Sequence, residues 1–355
     1  MKKSLMALAL LSATAGVAHA QSAVQIYGTV DAGFIKRSDQ TLNIGKRAAN
    51  TLGFKGTEDL GNGLKALFQL EIRYEPDTGT VENGNRPLFQ GQSRVGLQGD
   101  FGMVRIGRGV TAYHESIGAF DPWHALPTPA GFYTDLTVAG YNSQPLDTGN
   151  ASHNRWANAV WYNSPVFSGF QINATVATKE ANGGSYIGRG SALAPQYPVN
   201  SEASANPFSV SATYNNGPIA LMAGYERNHI ETKAWSIGGS VAATRELKLM
   251  ATYSRQDQGE TRISPDTTDA WVLGLNYNMG PGKILAGYGE KSPDNYTKVK
   301  QLSLGYEYSL SKRTYVYIDA SRKKNGINQN PFGGGPIVPN NSSVNHYDVG
   351  VSHSF

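Results

Sequence analysis

The side chains that could do acid–base or nucleophilic chemistry form no known catalytic set in this chain. Its seven histidines are scattered, and the pair His114-Glu115 is not part of an H-E-x-x-H zinc motif. Cysteine is absent, no serine lies in a G-x-S-x-G elbow, and the glycine-rich run at 332–336 lacks the lysine of a phosphate-binding loop. The sequence therefore predicts that the protein is not an enzyme and binds no cofactor or metal.

Charged and other polar residues recur at alternate positions in several segments, which is the spacing of one face of a β-strand. In 63–74, Lys65, Glu71 and Arg73 fall on one side of an extended chain, and apolar residues occupy the positions between them. Successive side chains of a strand point to opposite faces, so this segment predicts a strand with one polar and one apolar face. Its length matches a tilted membrane-crossing strand of roughly 9–11 residues and its ends. The same pattern recurs at 25–36, where Asp31 is on the polar face, and at 301–310.

The chain also ends on an alternating strand, and its last residue is aromatic. A soluble domain rarely finishes on a buried strand without a tail, whereas the last strand of an outer-membrane barrel turns one apolar face to lipid. We interpret the alternating residues as the closing strand and as a barrel-assembly signal: Tyr347, Val349, Val351, His353 and Phe355.

The N-terminal residues 1–20 have the composition of a secretory signal peptide. A basic start at Lys2 and Lys3 precedes an apolar run at 5–11, which is too short to cross a bilayer as a helix. Ala18-His19-Ala20 is a typical cleavage site, so we expect a single barrel domain at 21–355. Without Lys2 and Lys3, 29 of the 31 basic residues remain against 27 acidic ones, which gives no basis for nucleic-acid binding.

Short turns alternate with long polar connections along the chain. The turns lie at 59–62, 100–102, 215–217, 279–282 and 310–313, and the long connections at about 112–153, 180–206, 258–267 and 326–343. This alternation is typical of barrels with periplasmic turns and external loops. The predicted fold is therefore all-β, a sixteen-stranded antiparallel transmembrane β-barrel, and a barrel of that size leaves an aqueous channel.

Several blocks resemble the trimeric general porins of Gram-negative bacteria, most closely those of the betaproteobacterial and neisserial branch. They read IYGTVDAG at 26–33, GFKGTEDLGNGLKA at 53–66, VGL at 95–97, IGR at 106–108, AVWYNSP at 159–165 and VGVSHSF at 349–355. The resemblance implies a homotrimer in the outer membrane, in contact with lipid and lipopolysaccharide, that passes small hydrophilic solutes and ions. It also implies that the third external loop, roughly 111–153, folds inward and narrows each pore.

In that family, acidic residues of the third loop face basic residues across the pore. The corresponding loop acids here are Glu115, Asp121, Asp135 and Asp147. The wall candidates are Asp31, Arg47, Lys65, Glu71, Arg73, Arg94 and Arg105. Opposed charges would set up a transverse field that orients polar solutes, although simple solvation of a wet wall is the alternative for each residue. The wall holds more basic than acidic residues, and we predict a weak anion preference.

The chain departs from the family pattern at three places. It reads NTLG at 50–53, where family members usually carry an arginine, and its basic residues lie upstream at Lys46 and Arg47. Arg94 directly precedes the VGL block, and Trp161 stands where relatives often have a polar side chain. The charge selectivity of the family is therefore not carried over unmodified.

We consider three alternative functions. The leading one is passive diffusion through a wide, weakly selective pore. The second keeps the barrel but makes it substrate-specific, with Trp123, Trp161 and arginine side chains as a binding track. The third is an outer-membrane enzyme or adhesin whose loops do the work. Single-channel conductance separates the three.

Overall fold

The computed structural model describes residues 23–82, 86–143, 153–178, 205–229, 231–258, 266–324 and 343–355. The predicted signal peptide, Asp147, and all or most of each long connection at 180–206, 258–267 and 326–343 lie outside them.

The first strands are β1 Ala23–Arg37, β2 Asn43–Gly45, β3 Asn50–Gly61, β4 Leu64–Tyr74, β5 Gln92–Gly99 and β6 Gly102–Val110. Next come β7 Arg155–Asn163, β8 Phe170–Ala177, β9 Phe208–Asn216, β10 Ile219–Arg227, β11 Lys233–Ala242 and β12 Leu247–Asp257. The last are β13 Thr267–Met279, β14 Gly282–Pro293, β15 Val299–Ser309, β16 Thr314–Lys324 and β17 Ser343–Ser354.

These strands form one closed antiparallel barrel. β2 and β3 both pair with β1, at 33–35 and 23–29 respectively, so they are two pieces of one barrel strand interrupted at 46–49. β17 pairs with β1 from Thr29↔Ser354 to Arg37↔His346, and this pairing closes the sheet. The predicted sixteen-stranded antiparallel barrel is confirmed.

The two faces of the strands differ as the alternation predicts. On β1, Ile26, Val30 and Phe34 are exposed, whereas Asp31 between them is buried. Exposed aliphatic side chains along every second position of a closed barrel make an outer face suited to lipid. The strands predicted at 25–36, 63–74 and 301–310 correspond to β1, β4 and β15, and the five predicted turns join strands where expected.

The last strand closes the barrel through its final residue. The Phe355 N–H donates to the Gly28 carbonyl at 3.1 Å, and the Gly28 N–H donates to the Phe355 carbonyl at 3.2 Å. The ring of Phe355 is 41 % exposed, and Tyr347, Val349, Val351 and His353 are exposed with it. Asp348 and Ser352, between them, are buried. The predicted facing is therefore confirmed, while the role of these residues in assembly stays a prediction.

The only long described stretch without strands is residues 111–143, which we call the β6–β7 segment. It contains α1 Ala112–Ile117, a 3-10 turn at Gly118–Phe120 and a π-helical turn at Tyr133–Thr137. Most of its side chains are buried, in two apolar clusters that include residues of the barrel strands. No helix in the described ranges is long and apolar enough to cross a membrane.

Candidate functional site

The β6–β7 segment lies against the polar faces of the strands from β8 to β17. Near its start, the Tyr113 N–H donates to Ser209 Oγ on β9 at 2.9 Å. Further along, Gln301 Nε2 on β15 donates to the Gly131 carbonyl at 2.9 Å. We call the polar faces of β9–β16 the covered wall, because this segment packs on them.

Glycines of the covered wall make room for the apolar side chains of the segment. A Cβ atom placed on Gly274 would lie 2.2 Å from Cγ of Pro122, and one placed on Gly287 would lie 2.5 Å from the Phe132 ring. Similar close approaches join Gly224 to Tyr113, Gly238 to Phe120, Gly289 to Leu136 and Gly305 to Trp123. Since atoms do not approach so closely, any side chain at Gly274 or Gly287 would have to displace the segment.

Two lysines hold the π-helical turn of the segment to the wall. The Asp135 carboxylate accepts hydrogen bonds from Lys291 on β14 and from Lys323 on β16. Burial alone would raise the pKa of Asp135, but the two ammonium groups outweigh it and hold that pKa well below its usual range. Asp135 is therefore a charged attachment point of the segment.

Glu115, on α1, connects the start of the segment to β5 and β6. Its carboxylate forms ion pairs with Arg94 on β5 at 3.1 Å and with Arg105 on β6 at 3.2 Å. Arg105 also donates to Asn163 at 2.7 Å. Three of the predicted constriction residues are thus brought together in one cluster.

Asp121 lies inside the segment. Its carboxylate accepts hydrogen bonds from the N–H groups of Ala125 at 3.0 Å and Phe132 at 3.2 Å. Burial raises the pKa of Asp121 to about 6, partly offset by these N–H groups. Its side chain is fully buried, so it supports the fold of the segment and does not meet a solute directly.

Asp31 and Arg47 belong to a buried network across the β1–β17 seam. Both are 0 % exposed. Arg47, from the interruption between β2 and β3, forms ion pairs with Glu307 on β15 at 2.8 Å and Asp319 on β16 at 2.7 Å. Asp31 accepts hydrogen bonds from the Arg47 N–H at 2.7 Å and the Tyr317 hydroxyl at 2.9 Å. The structure therefore places these two predicted constriction residues in the wall, out of reach of a solute.

The polar faces of β1, β3, β4, β5 and β6 are not packed against the segment in this way, and we call them the open wall. A cavity of about 580 Å³ lies between them and the segment, with Leu126 and Pro127 on the segment side. Its charged lining comprises Lys46, Glu71, Arg73, Glu75, Glu82, Arg86 and Arg155. The predicted residues Glu71 and Arg73 thus line an open space.

A second cavity of about 340 Å³ borders the open wall nearer the short turns, and its charged lining is Lys55, Arg94 and Arg105. Lys65, also predicted, is exposed at the turn end of β4. The two cavities together place long charged side chains along the open wall.

The predicted aromatic binding track is contradicted by the structure. Trp123, within the segment, is completely buried against the covered wall, and Trp161 is 1 % exposed. The Trp161 indole N–H donates to the Val110 carbonyl at 2.7 Å. Neither ring is available to a passing solute.

Sequence reasoning missed several residues that hold the segment or line the cavities. They are Lys55, Arg155, Glu226, Lys291 and Lys323. Alternation within 51–57 assigns Lys55 to the face opposite Leu52 and Phe54, so the sequence pattern itself contained that signal. The partners of Lys291 and Lys323 lie more than 150 residues away, and no local pattern identifies them.

Comparison with known proteins agrees with this architecture. The family model described as Gram-negative porin matches residues 7–328. Outer membrane porin protein 32 of Delftia acidovorans is 30 % identical over the full length of both chains, and the major outer membrane protein P.IB of Neisseria lactamica is 27 % identical, also over the full length of both. The solved anion-selective porin from Comamonas acidovorans has the same fold, with a TM-score of 0.75 and 23 % identity over 94 % of this chain and all of that one. On the family match and the closed barrel, the chain belongs to the Gram-negative porins of the outer membrane, a family of channels and not of enzymes.

Proposed function

We propose that the protein is a water-filled pore for passive diffusion of small hydrophilic solutes and ions, narrowed by the β6–β7 segment and weakly selective for anions. The observation that carries this proposal is the cavity of about 580 Å³ between the segment and the charged open wall. Long charged side chains that border open space keep water in a channel and interact with ions that pass.

The contacts of the segment support an inward fold. It touches polar faces from Thr175 on β8 to Asp348 on β17, and these strands occupy more than half of the circumference of the barrel. The polar faces of a closed barrel surround its interior, since the apolar faces point outward. We therefore infer that the segment crosses the lumen and restricts it, as expected for the third external loop.

The charges around the cavities support an anion preference. The two cavities are lined by seven basic and three acidic side chains. Glu115, which pairs with Arg94 and Arg105, adds a fourth acid. Ion pairs reduce the field but leave an excess of positive charge, which raises the local concentration of anions. The porin of the same fold from Comamonas acidovorans is described as anion-selective, and this proposal extends that property to the present chain.

The same proposal includes assembly and targeting. Residues 1–20 act as a signal peptide that is cleaved after Ala20, and the mature barrel forms homotrimers in contact with outer-membrane lipid and lipopolysaccharide. Support for a trimer comes from the family and from a Vibrio cholerae outer-membrane protein of the same fold that is described in a trimer form.

Planar-bilayer recordings of the purified protein test the function. We expect conductance that rises with salt concentration, without saturation by any solute. In a salt gradient, the sign of the reversal potential should show that anions are more permeable than cations. A cation-sign potential would contradict the charge assignment. Saturation or block by one solute class would establish the substrate-specific alternative, and folded barrels without conductance would overturn the pore itself.

A further inference from the structure

Glu226 is a carboxylate that the pore does not use directly. It lies on the polar face of β10 and is 0 % exposed. One of its oxygens accepts a hydrogen bond from the Thr111 hydroxyl at 2.5 Å, and the other accepts one from the Ser143 hydroxyl. Thr111 directly follows β6, and Ser143, the last residue before the undescribed stretch 144–152, donates its N–H to the His153 carbonyl near the start of β7 at 3.2 Å. One side chain therefore binds both ends of the described segment.

The partners of this carboxylate are hydroxyl groups. The hydroxyls of Ser209 and Tyr141 also lie beside it, and among the described residues no lysine, arginine or histidine nitrogen forms an ion pair with it. A buried carboxylate that lacks a cation depends on its hydrogen bonds for stability, since burial removes its hydration. The ends of the segment supply two of those bonds, and neither end can leave without cost.

The surroundings reinforce both attachments. Asn228 Nδ2 donates to the Asn142 carbonyl at 2.8 Å, and the Trp156 indole N–H donates to the Ser143 carbonyl at 2.8 Å. These two bonds hold the chain next to Ser143 from either side. The last residues of the segment are therefore fixed to β10 and β7 together.

Thr111 contacts Glu226 from the N-cap position of α1. Thr111 is the N-cap residue of α1, where a threonine hydroxyl usually accepts a hydrogen bond from the helix backbone. Here it makes no such cap, and the hydroxyl donates to Glu226 instead. The start of the segment is thus tied to the wall through the Thr111 hydroxyl.

We propose that Glu226 is a positioning residue that locks both ends of the β6–β7 segment and thereby sets the limiting width of the pore and the size of solute that passes. This inference rests on the proposed function, because it assigns the width to the placement of that segment. The middle of the segment is held by Asp135 and by the glycine sites, and Glu226 holds the ends. Without it, both ends lose their hydrogen bond to β10.

The test compares Glu226→Ala and Glu226→Gln in single-channel recordings and in liposome swelling with neutral sugars of increasing size. We expect Glu226→Ala to give noisy, multi-level openings, a mean conductance raised by about twofold, and entry of larger sugars. Glutamine keeps one acceptor oxygen and can donate its amide to the other hydroxyl. It should therefore restore quiet openings and the original size limit.

Two further variants separate a lock from other roles. The double variant Thr111→Val with Ser143→Ala removes both donors, and it should reproduce the Glu226→Ala recordings; adding Glu226→Ala to it should change little more. If Glu226→Ala fails to fold, this double variant decides the question. Glu58→Gln, an exposed carboxylate near a turn, serves as the charge control and should match the wild type.

Quiet, wild-type openings from Glu226→Ala or from the double variant would overturn the inference. So would a Glu226→Gln channel as noisy as Glu226→Ala, because that result assigns the effect to the lost charge. These failures differ from failure of the proposed function, in which the wild-type protein itself would show no diffusion pore.

Discussion

The open and covered walls of this barrel obey the same alternation of polar and apolar residues, yet their polar residues are of different kinds. The open wall carries long charged side chains, such as Lys55, Arg73 and Arg94. On the covered wall, glycine and small hydroxyl residues recur where the segment packs, with Gly274 and Ser209 as examples, and the charged side chains Lys291 and Lys323 are paired with Asp135 of the segment. We infer that the size of an inward-facing residue, together with its polarity, indicates whether water or protein lies against that part of the barrel.

Two cavities, of about 580 and 340 Å³, lie beside β1 and β3–β6, where basic side chains are concentrated. A third cavity, of about 320 Å³, lies against β7–β12 and has Glu115 and Lys248 as its charged lining. Under the proposed function, the covered wall supports the constriction, and the open wall supplies most of the charges that a solute meets.

The largest expected effect is at the seam that joins the two walls. Deleting Phe355 removes the residue whose N–H and carbonyl both pair with Gly28, together with an outward aromatic side chain. Without it Gly28 loses both of these hydrogen bonds and the closing strand loses its outward aromatic end, so we expect most of the folded protein to be lost from the outer membrane. Heat-modifiable barrels in membrane fractions measure this yield. A normal yield would show that the assembly signal lies elsewhere.

Arg47→Ala should weaken the same seam from inside. Removing this cation leaves the buried carboxylates of Glu307 and Asp319 with one partner fewer, and breaking a buried ion pair costs about 3–5 kcal/mol. We expect a lower unfolding temperature for barrels that still conduct. Arg313→Ala, an exposed arginine in a turn, is the matched control and should leave the temperature unchanged. Equal stability of the two variants would place Arg47 outside the seam network.

Gly274→Ala tests the fit of the covered wall. The new Cβ would need the space of Pro122, 2.2 Å away, and should push the segment toward the open wall. We expect single-channel conductance to fall by up to about twofold while the barrel still folds. Gly239→Ala is the control, because its Cβ would meet only the flexible end of Leu221 at 3.3 Å. A higher conductance from Gly274→Ala would mean that the segment loosens instead of moving inward.

Arg73→Gln should give the smallest effect. It removes one of the seven basic side chains around the cavities, and its pairing with Glu82 at 3.4 Å already reduces its field. The reversal potential in a salt gradient should shift slightly toward the cation value, with little change in conductance. Lys300→Gln, an exposed lysine outside the cavities, should cause no shift. An equal shift from both variants would indicate a general surface-charge effect.

Much of the fold was predictable because alternation and turn residues are local properties of the sequence. The strands, the turns and the outward face of Val349 and Val351 follow from them directly. The site was less predictable because it depends on packing between distant parts of the chain. The charge of Arg47 suggested a place in the pore, but the side chain is buried against Asp319, which is 272 positions away in the sequence. Glu226 shows the same limit, since its partner Thr111 is 115 residues away.

The division between an open and a covered wall is central to the proposed pore, and the absence of cysteine from the chain permits a direct measurement of it. Single cysteines at Thr51, on the open wall, and Ser303, buried on the covered wall, are treated with a negatively charged methanethiosulfonate during single-channel recording. We expect a stepwise fall in conductance for Thr51→Cys and no reaction for Ser303→Cys, because only Thr51 borders the open cavity. Rapid block through Ser303→Cys, or an unreactive Thr51→Cys, would contradict this division.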